Sequence, residues 1–240
     1  MAIFNPFGRG PLALICEHAS NHIPDSHKRL GLSEADLHRH IAWDIGALGL
    51  ARQLASALDA PLAYATQSRL LLDLNRSVNA SDSIATHSEG TPIPGNLDLS
   101  RNERLRRQQR IYLPFHNAVD ALIGRRLADG TPTAVVSIHS FTPNYDGVAR
   151  PWHVGVISHE DRWLANLLLA ALAADPALCV GDNQPYGPGD GVYHSLQLHG
   201  QVRGLRCAMI EVRNDLIAGA DGQRQWAERL RRILGTTLGN

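Results

Sequence analysis

The 240-residue chain has 23 Lys+Arg against 23 Asp+Glu and a formal net charge of zero, so it lacks the basic footprint of a nucleic-acid binder and is expected to act on a small ligand. Its apolar runs fall short of the ~20 residues of a membrane span, and Met1 to Gly10 lacks the basic-then-apolar layout of a signal peptide, which predicts a cytoplasmic protein with no membrane association. The length fits a single domain over 1–240, and Cys16, Cys179 and Cys207, with no Cys-x-x-Cys pair among them, read as buried free thiols of a reducing compartment.

Leu12 to Ile15 is an apolar run suited to a buried strand, and the polar turn after it places Glu17 and His18 at the strand's C-terminal end. Ligands of open α/β sheets bind in the crevice beyond those ends. Ser33-Glu34-Ala35-Asp36 reads as a capped helix start. A helix with a stripe through Ala47, Leu50, Ala51, Leu54 and Leu58 comes next, with Asp44 near its first turn, where interaction with the helix dipole is an equally good account of the acid.

Pro61 to Thr66 and Arg69 to Leu74 are short strand candidates, the second leading into Asn75-Arg76. Residues 77 to 100 are rich in Ser, Asn, Pro and Gly and read as a lid, a binding loop or an excursion without regular structure. Helical spacing returns from Arg101 to Leu127, with Pro114 expected to kink or split the helix. Its basic cluster, Arg104, Arg106, Arg107 and Arg110, reads as a solvated face because no aromatics interleave with it.

Thr133 to Ser140 is a clear strand that again delivers a histidine, His139, at its C-terminal end. Trp152 to Ile157 is a further strand, Asp161 to Ala174 a helix, and Val180 to Gly191 a loop whose Gly-Pro-Gly-Asp-Gly fails the dinucleotide fingerprint. Cys207 to Arg213 is the last buried strand and carries Glu211, and a helix from Gly222 to Leu234 closes the chain. Strands alternating with helices predict an α/β sandwich with a largely parallel sheet.

The polar groups at the strand ends are His18, Asp44, Asn75-Arg76, His139 and Glu211. Two imidazoles and a carboxylate suit a catalytic Zn²⁺, which keeps a fourth position for water and lowers that water's pKa from 15.7 to about 7. A further carboxylate, Glu211, could take the water proton. A serine nucleophile is disfavoured by the lack of a Gly-x-Ser-x-Gly elbow, and Cys16 is expected to face the packed side of the sheet.

Six motifs resemble the N-formylglutamate amidohydrolase family: Cys16 to Asn21, Asp44 in His-Ile-Ala-Trp-Asp-Ile-Gly, Ser68-Arg69 through Asp73-Leu74-Asn75-Arg76, Thr91-Pro92-Ile93-Pro94-Gly95, Ser137 to Phe141, and Ile210 to Arg213. The resemblance runs in order over nearly the whole chain, from Leu12 to about Trp226. The family is similar to zinc carboxypeptidases and aspartoacylase, and the resemblance implies a three-layer αβα sandwich with a mixed, largely parallel central sheet of the zinc-exopeptidase type.

It further implies a metal-dependent amidohydrolase that removes a small N-acyl group from an amino acid or similar carboxylate. One Zn²⁺, or another divalent ion, would be held by His18, Asp44 and His139. Related enzymes present His-x-x-Glu, whose Glu position is Asn21 here, so Asp44 matches as second ligand with Glu17 in reserve. Glu211 would be the general base. Arg76 would grip the substrate carboxylate, with Asn75 beside it and Arg69 or Arg213 close by, although a structural salt bridge is as good an account of those two. His116, Asn183, His194 and His199 are scaffold or pocket lining. The Cys16-Glu17-His18-Ala19-Ser20 stretch departs from the family's Pro-His-Ser-Gly turn, which marks a divergent branch and leaves room for a substrate other than N-formylglutamate. A non-catalytic carboxylate- or metal-binding module on the same fold is the rival reading.

Overall fold

The computed structural model describes residues 1–238. Its strands, in chain order, are β1 (Ala2–Phe4), β2 (Leu12–Cys16), β3 (Leu62–Tyr64), β4 (His87–Ser88), β5 (Thr91–Pro92), β6 (Ala134–Phe141), β7 (Asn144–Tyr145), β8 (Val148–Ala149), β9 (Val154–Ile157), β10 (Val180–Asp182) and β11 (Cys207–Arg213). The helices are α1 (Glu34–Leu37), α2 (Ala47–Ala57), α3 (Arg101–Arg107), α4 (Leu113–Ala128), α5 (Trp163–Ala173), α6 (His194–His199) and α7 (Ala220–Leu238).

Seven strands form one sheet in the order β1-β3-β2-β6-β11-β9-β10, while β4-β5 and β7-β8 are small hairpins. The core β3-β2-β6-β11 is parallel, and the antiparallel pairings of β1 with β3 and of β9 with β11 make the sheet mixed. Because side chains alternate along a strand, Leu12, Leu14 and Cys16 join Val136, Ile138, Ala208 and Ile210 under α2, α5 and α7. Ala13, Ile15, Val135, Cys207 and Met209 meet Phe115, Val119, Ile123 and Leu196 of α4 and α6 on the other face. The chain is therefore the expected three-layer αβα sandwich. Cys16 faces the packed layer beneath α2.

Local expectations hold where caps and periodicity agree. Ser33 and Asp36 form a reciprocal capping box, and Pro114 lies at the start of α4, which is separated from α3 by a π-helical turn over Gln108–Tyr112. Gly46 precedes α2 at φ 81°, and a Cβ there would come within 2.1 Å of the Ile217 carbonyl oxygen. Only glycine permits that approach.

Other expectations need correction. Arg69 to Leu74 is not a strand. Its leucines are buried, but side chains rather than a ladder satisfy its carbonyls: Asn96 Nδ2 donates to Leu70 O at 2.8 Å, Arg107 Nη1 to Leu71 O at 3.0 Å and His116 Nε2 approaches Leu74 O at 3.0 Å. Arg107 is accordingly buried, not part of a solvated face. Val180 to Asp182, expected to be loop because of its Gly and Asp, pairs in parallel with β9. Cys16 and Cys207 are buried, whereas Cys179 is exposed. No helix among the described residues is long and apolar enough to cross a membrane.

Candidate functional site

The carboxyl ends of β2, β6 and β11 open on one cavity of about 330 Å³, lined by His18, Asp44, Arg69, Asn75, Arg76, His139 and Glu211. Asp82, Ala85 and His87 to Gly90 of the long loop and Tyr145 of the β7-β8 hairpin supply further lining, so part of the 77–100 segment is a wall of this cavity. Strand register places Glu211 directly beside His139. Asp44 arrives from the turn before α2, where its backbone N–H donates to His18 O at 2.9 Å.

His18, Asp44 and His139 offer ligand atoms that lie within 4.8 Å of one another, all buried. Asp44 Oδ2 is 3.4 Å from His18 Nδ1 and 2.7 Å from His139 Nδ1. The far side of each ring faces another carboxylate: His18 Nε2 is hydrogen-bonded to Asp73 Oδ1 at 2.7 Å, whereas His139 Nε2 lies at ion-pair distance, 3.0 Å, from Glu17 Oε2 without hydrogen-bond geometry. A carboxylate accepts and cannot donate, so Asp73 fixes the hydrogen of His18 on Nε2 and frees Nδ1. His18 Nδ1 is buried with no hydrogen-bond partner. Two imidazoles backed by carboxylates, plus one carboxylate oxygen, are a donor set that fits a divalent metal ion.

The electrostatics agree. Burial opposes a charged His139, but Glu17 and Asp44 overcome it and push its pKa well above the ordinary value; such a field favours a cation of any kind. Burial likewise acts to raise Glu17, yet His139, Ser137 and His18 bring it down to about 2, with Ser137 Oγ donating to its Oε2 at 2.6 Å. Glu211 is the exception. Burial, reinforced by Asp44, raises its pKa to about 7 against the pull of His139, and its Oε2 has no hydrogen-bond partner.

The cationic residues divide. Arg69 Nη2 pairs with Asp73 Oδ2 at 2.6 Å and its Nη1 lies 3.5 Å from Asp44 Oδ1, so its charge is spent on the scaffold that holds the histidines. Arg76 binds Asp82 through Nε at 2.9 Å. Asn75 donates to Val192 O at 2.5 Å and accepts from Ser195 N at 3.0 Å, which pins the turn to the segment before α6. Arg213 is not brought to the cavity: it pairs with Asp215 at 2.8 Å, and it does not reach Glu211 as its position two residues on suggests.

His116 and His199 share a 2.8 Å contact and His194 meets Tyr112 Oη at 2.6 Å, while Asn183 accepts from Ser158 N. None of these four lines the cavity. Residues that sequence reasoning leaves without a role include Asp73, Tyr186, His40 and Glu89. Asp73 is visible in the Asp-Leu-Asn-Arg run, but nothing local shows that it faces a histidine 55 residues away.

An αβα sandwich with a buried His/Asp/His group and a lone acid beyond its parallel strand ends defines a hydrolase-like class with a potential metal centre. Residues 10–218 match the model of the N-formylglutamate amidohydrolase family, and the chain belongs to that family. It is similar to the crystal structure of a gene product from Agrobacterium tumefaciens at 43% identity and a TM-score of 0.97, covering 99% of this chain and 94% of that one. An N-formylglutamate amidohydrolase from Ralstonia eutropha shares the fold at 18% identity and a TM-score of 0.66, over 99% and 95% of the two chains. No curated protein matches the sequence.

Proposed function

We propose that the protein is a metal-dependent amidohydrolase that cleaves a small N-acyl group, of the N-formyl kind, from an amino acid or related carboxylate, acting in the cytoplasm as a single domain. The observation that carries this reading is the buried His18, Asp44 and His139 group with the unpartnered acid Glu211 in the same cavity. His18 Nδ1, Asp44 Oδ2 and His139 Nδ1 would hold the ion, and Zn²⁺ suits this borderline donor set. When bound, such an ion polarises an acyl oxygen and makes hydroxide available near neutral pH.

The chain supplies the remaining roles. Glu211, unpartnered in the same cavity, takes the proton of the attacking water and returns it to the leaving amine. Asp73 and Glu17 hold the two imidazoles in orientation. Arg76 retains guanidinium donors for a substrate carboxylate after Asp82 has taken Nε, and Asn75 fixes the turn that presents it. The test is elemental analysis of the purified protein together with a screen of N-formyl, N-acetyl and longer N-acyl amino acids. Bound metal with turnover supports the reading, and metal-free protein that hydrolyses these amides at full rate overturns it.

A further inference from the structure

The basic cluster of the 101–110 segment takes no part in the cavity beyond the strand ends. Three of its members, Arg106, Arg107 and Arg110, line a second cavity of about 590 Å³ together with Lys28 and Glu103, and this cavity shares no lining residue with the first. Four cations thus meet one acid, in a chain whose formal net charge is zero. His27 also lines it and adds no charge near pH 7, because burial and the Arg107 guanidinium lower its pKa. Glu103 is already spent: its Oε2 takes Arg106 Nη2 at 2.7 Å and its Oε1 takes Arg107 Nε at 3.1 Å. Arg107 is buried and directs Nη1 to Leu71 O and Asn96 Oδ1, which makes it a fixed base. Among the described residues neither Lys28 nor Arg110 has a carboxylate within ion-pair distance, whereas the neighbouring Arg29 reaches Glu34 at 3.1 Å.

Two departures from regular backbone bring these charges to the cavity. Lys28, Arg29 and Leu30 take left-handed conformations in succession, at φ 48°, 53° and 56°, which Cβ crowding makes unfavourable for L-residues. Gly95 lets this turn seat closely, since a Cβ on it would come within 2.6 Å of Leu30 Cα. Between α3 and α4 lies the π-helical turn over Gln108–Tyr112, which carries Arg110 and Ile111. Irregular segments of both kinds concentrate at functional sites, and neither of these contributes to the first cavity.

We propose that the second cavity is a binding site for a phosphate ester. Its two unneutralised cations match the charge of about −1.5 to −2 that a phosphate monoester carries at pH 7, and donors brought from separate segments suit a tetrahedral anion. Arg106 adds Nη1, because Glu103 occupies only its Nε and Nη2. Pro24, Leu30, Leu99 and Ile111 give the same cavity an apolar lining for the organic part of the ester, and its volume is that of a small-molecule site. The site stands whether or not the first cavity is an amidohydrolase centre.

The probes are phenyl phosphate, inorganic phosphate and benzoate, titrated calorimetrically near neutral pH into wild type, Lys28→Met, Arg110→Met, Arg110→Lys, Arg104→Met and Arg76→Met. Phenyl phosphate should bind wild type one to one with a Kd of about 1 mM or below. Inorganic phosphate should bind several-fold more weakly for want of a ring to bury, and benzoate more weakly again for want of the second charge. Lys28 and Arg110 are exposed, so their variants should keep the wild-type melting temperature while each weakens phenyl phosphate about tenfold. Arg110→Lys should recover part of that loss. Arg104, which does not line the cavity, controls for general charge, and Arg76 controls for binding in the first cavity; both variants should bind as wild type does. The proposal is overturned if no saturable binding is seen, if Arg104→Met weakens binding as much as Arg110→Met, if Arg76→Met abolishes it, or if benzoate or free phosphate binds as tightly as the ester.

Discussion

His18 Nε2 lies 2.7 Å from Asp73 Oδ1, both groups buried, and the contact leaves Nδ1 of the same ring bare toward Asp44. The pairing converts Asp73 from one acid of a conspicuous run into the residue that chooses the tautomer of a potential metal ligand. Supporting carboxylates of this kind are typically worth 10- to 100-fold in metal affinity. Asp73→Asn should weaken zinc binding by about that factor, and Glu17→Gln should do the same through His139. Competition titrations against a chelator check this, and wild-type affinity in both variants would remove the support role.

Removing a ligand itself should be harsher. His18→Ala and His139→Ala are each expected to lose bound metal, by elemental analysis, while circular dichroism shows a folded protein. Asp44→Asn is the more demanding case because Asp44 also precedes α2 and receives the Ser140 N–H at 3.3 Å. If that variant loses stability but keeps its metal, Asp44 serves the fold alone.

Arg76→Lys keeps the charge but loses the planar fork. We expect kcat/KM on an acid substrate to drop about tenfold with metal content unchanged. Equal wild-type rates on an acid and its neutral amide would sink the assignment.

Glu211 makes opposite demands on activity and stability. Glu211→Gln keeps shape but cannot accept a proton, so kcat should fall about 10²–10⁴-fold, and a variant within threefold of wild type would rule out the base role. The metal-free protein adds a pH signature. The Glu211 pKa is about 7 in the folded state against an ordinary 4.5; a raised pKa means that its contribution is complete below pH 4.5 and is lost as pH rises through 7. Relative to Glu211→Gln, metal-free wild type should therefore lose on the order of 3 kcal/mol between pH 5 and pH 8. Asp44, Asp73 and Glu17 are shifted downward and act in the reverse sense in both proteins. Urea midpoints that run parallel with pH would show that Glu211 is not held in the way described.

The sandwich, its parallel core and the two strand-end histidines are legible in the sequence. Apolar runs such as Leu12 to Ile15 and Thr133 to Ser140, rich in strand-forming residues, suit central strands, and the residues after a central strand emerge at the sheet's carboxyl edge. Ser33 and Pro114 are equally readable, because capping and the missing proline N–H act within a turn. The apolar 69–74 run resembles a strand in sequence because burial alone does not distinguish a ladder from carbonyls satisfied by Asn96, Arg107 and His116. The pairing of charges is decided by tertiary structure alone. That Asp73 faces His18, that Glu17 stands behind His139, that Arg213 turns to Asp215 and that Arg150 lies between two tyrosines are choices among many oppositely charged or aromatic partners. Electrostatic attraction is strong only at short range and in a dry interior, so each choice depends on which side chains the packed layers bring within a few ångströms, a distance that sequence separation does not encode.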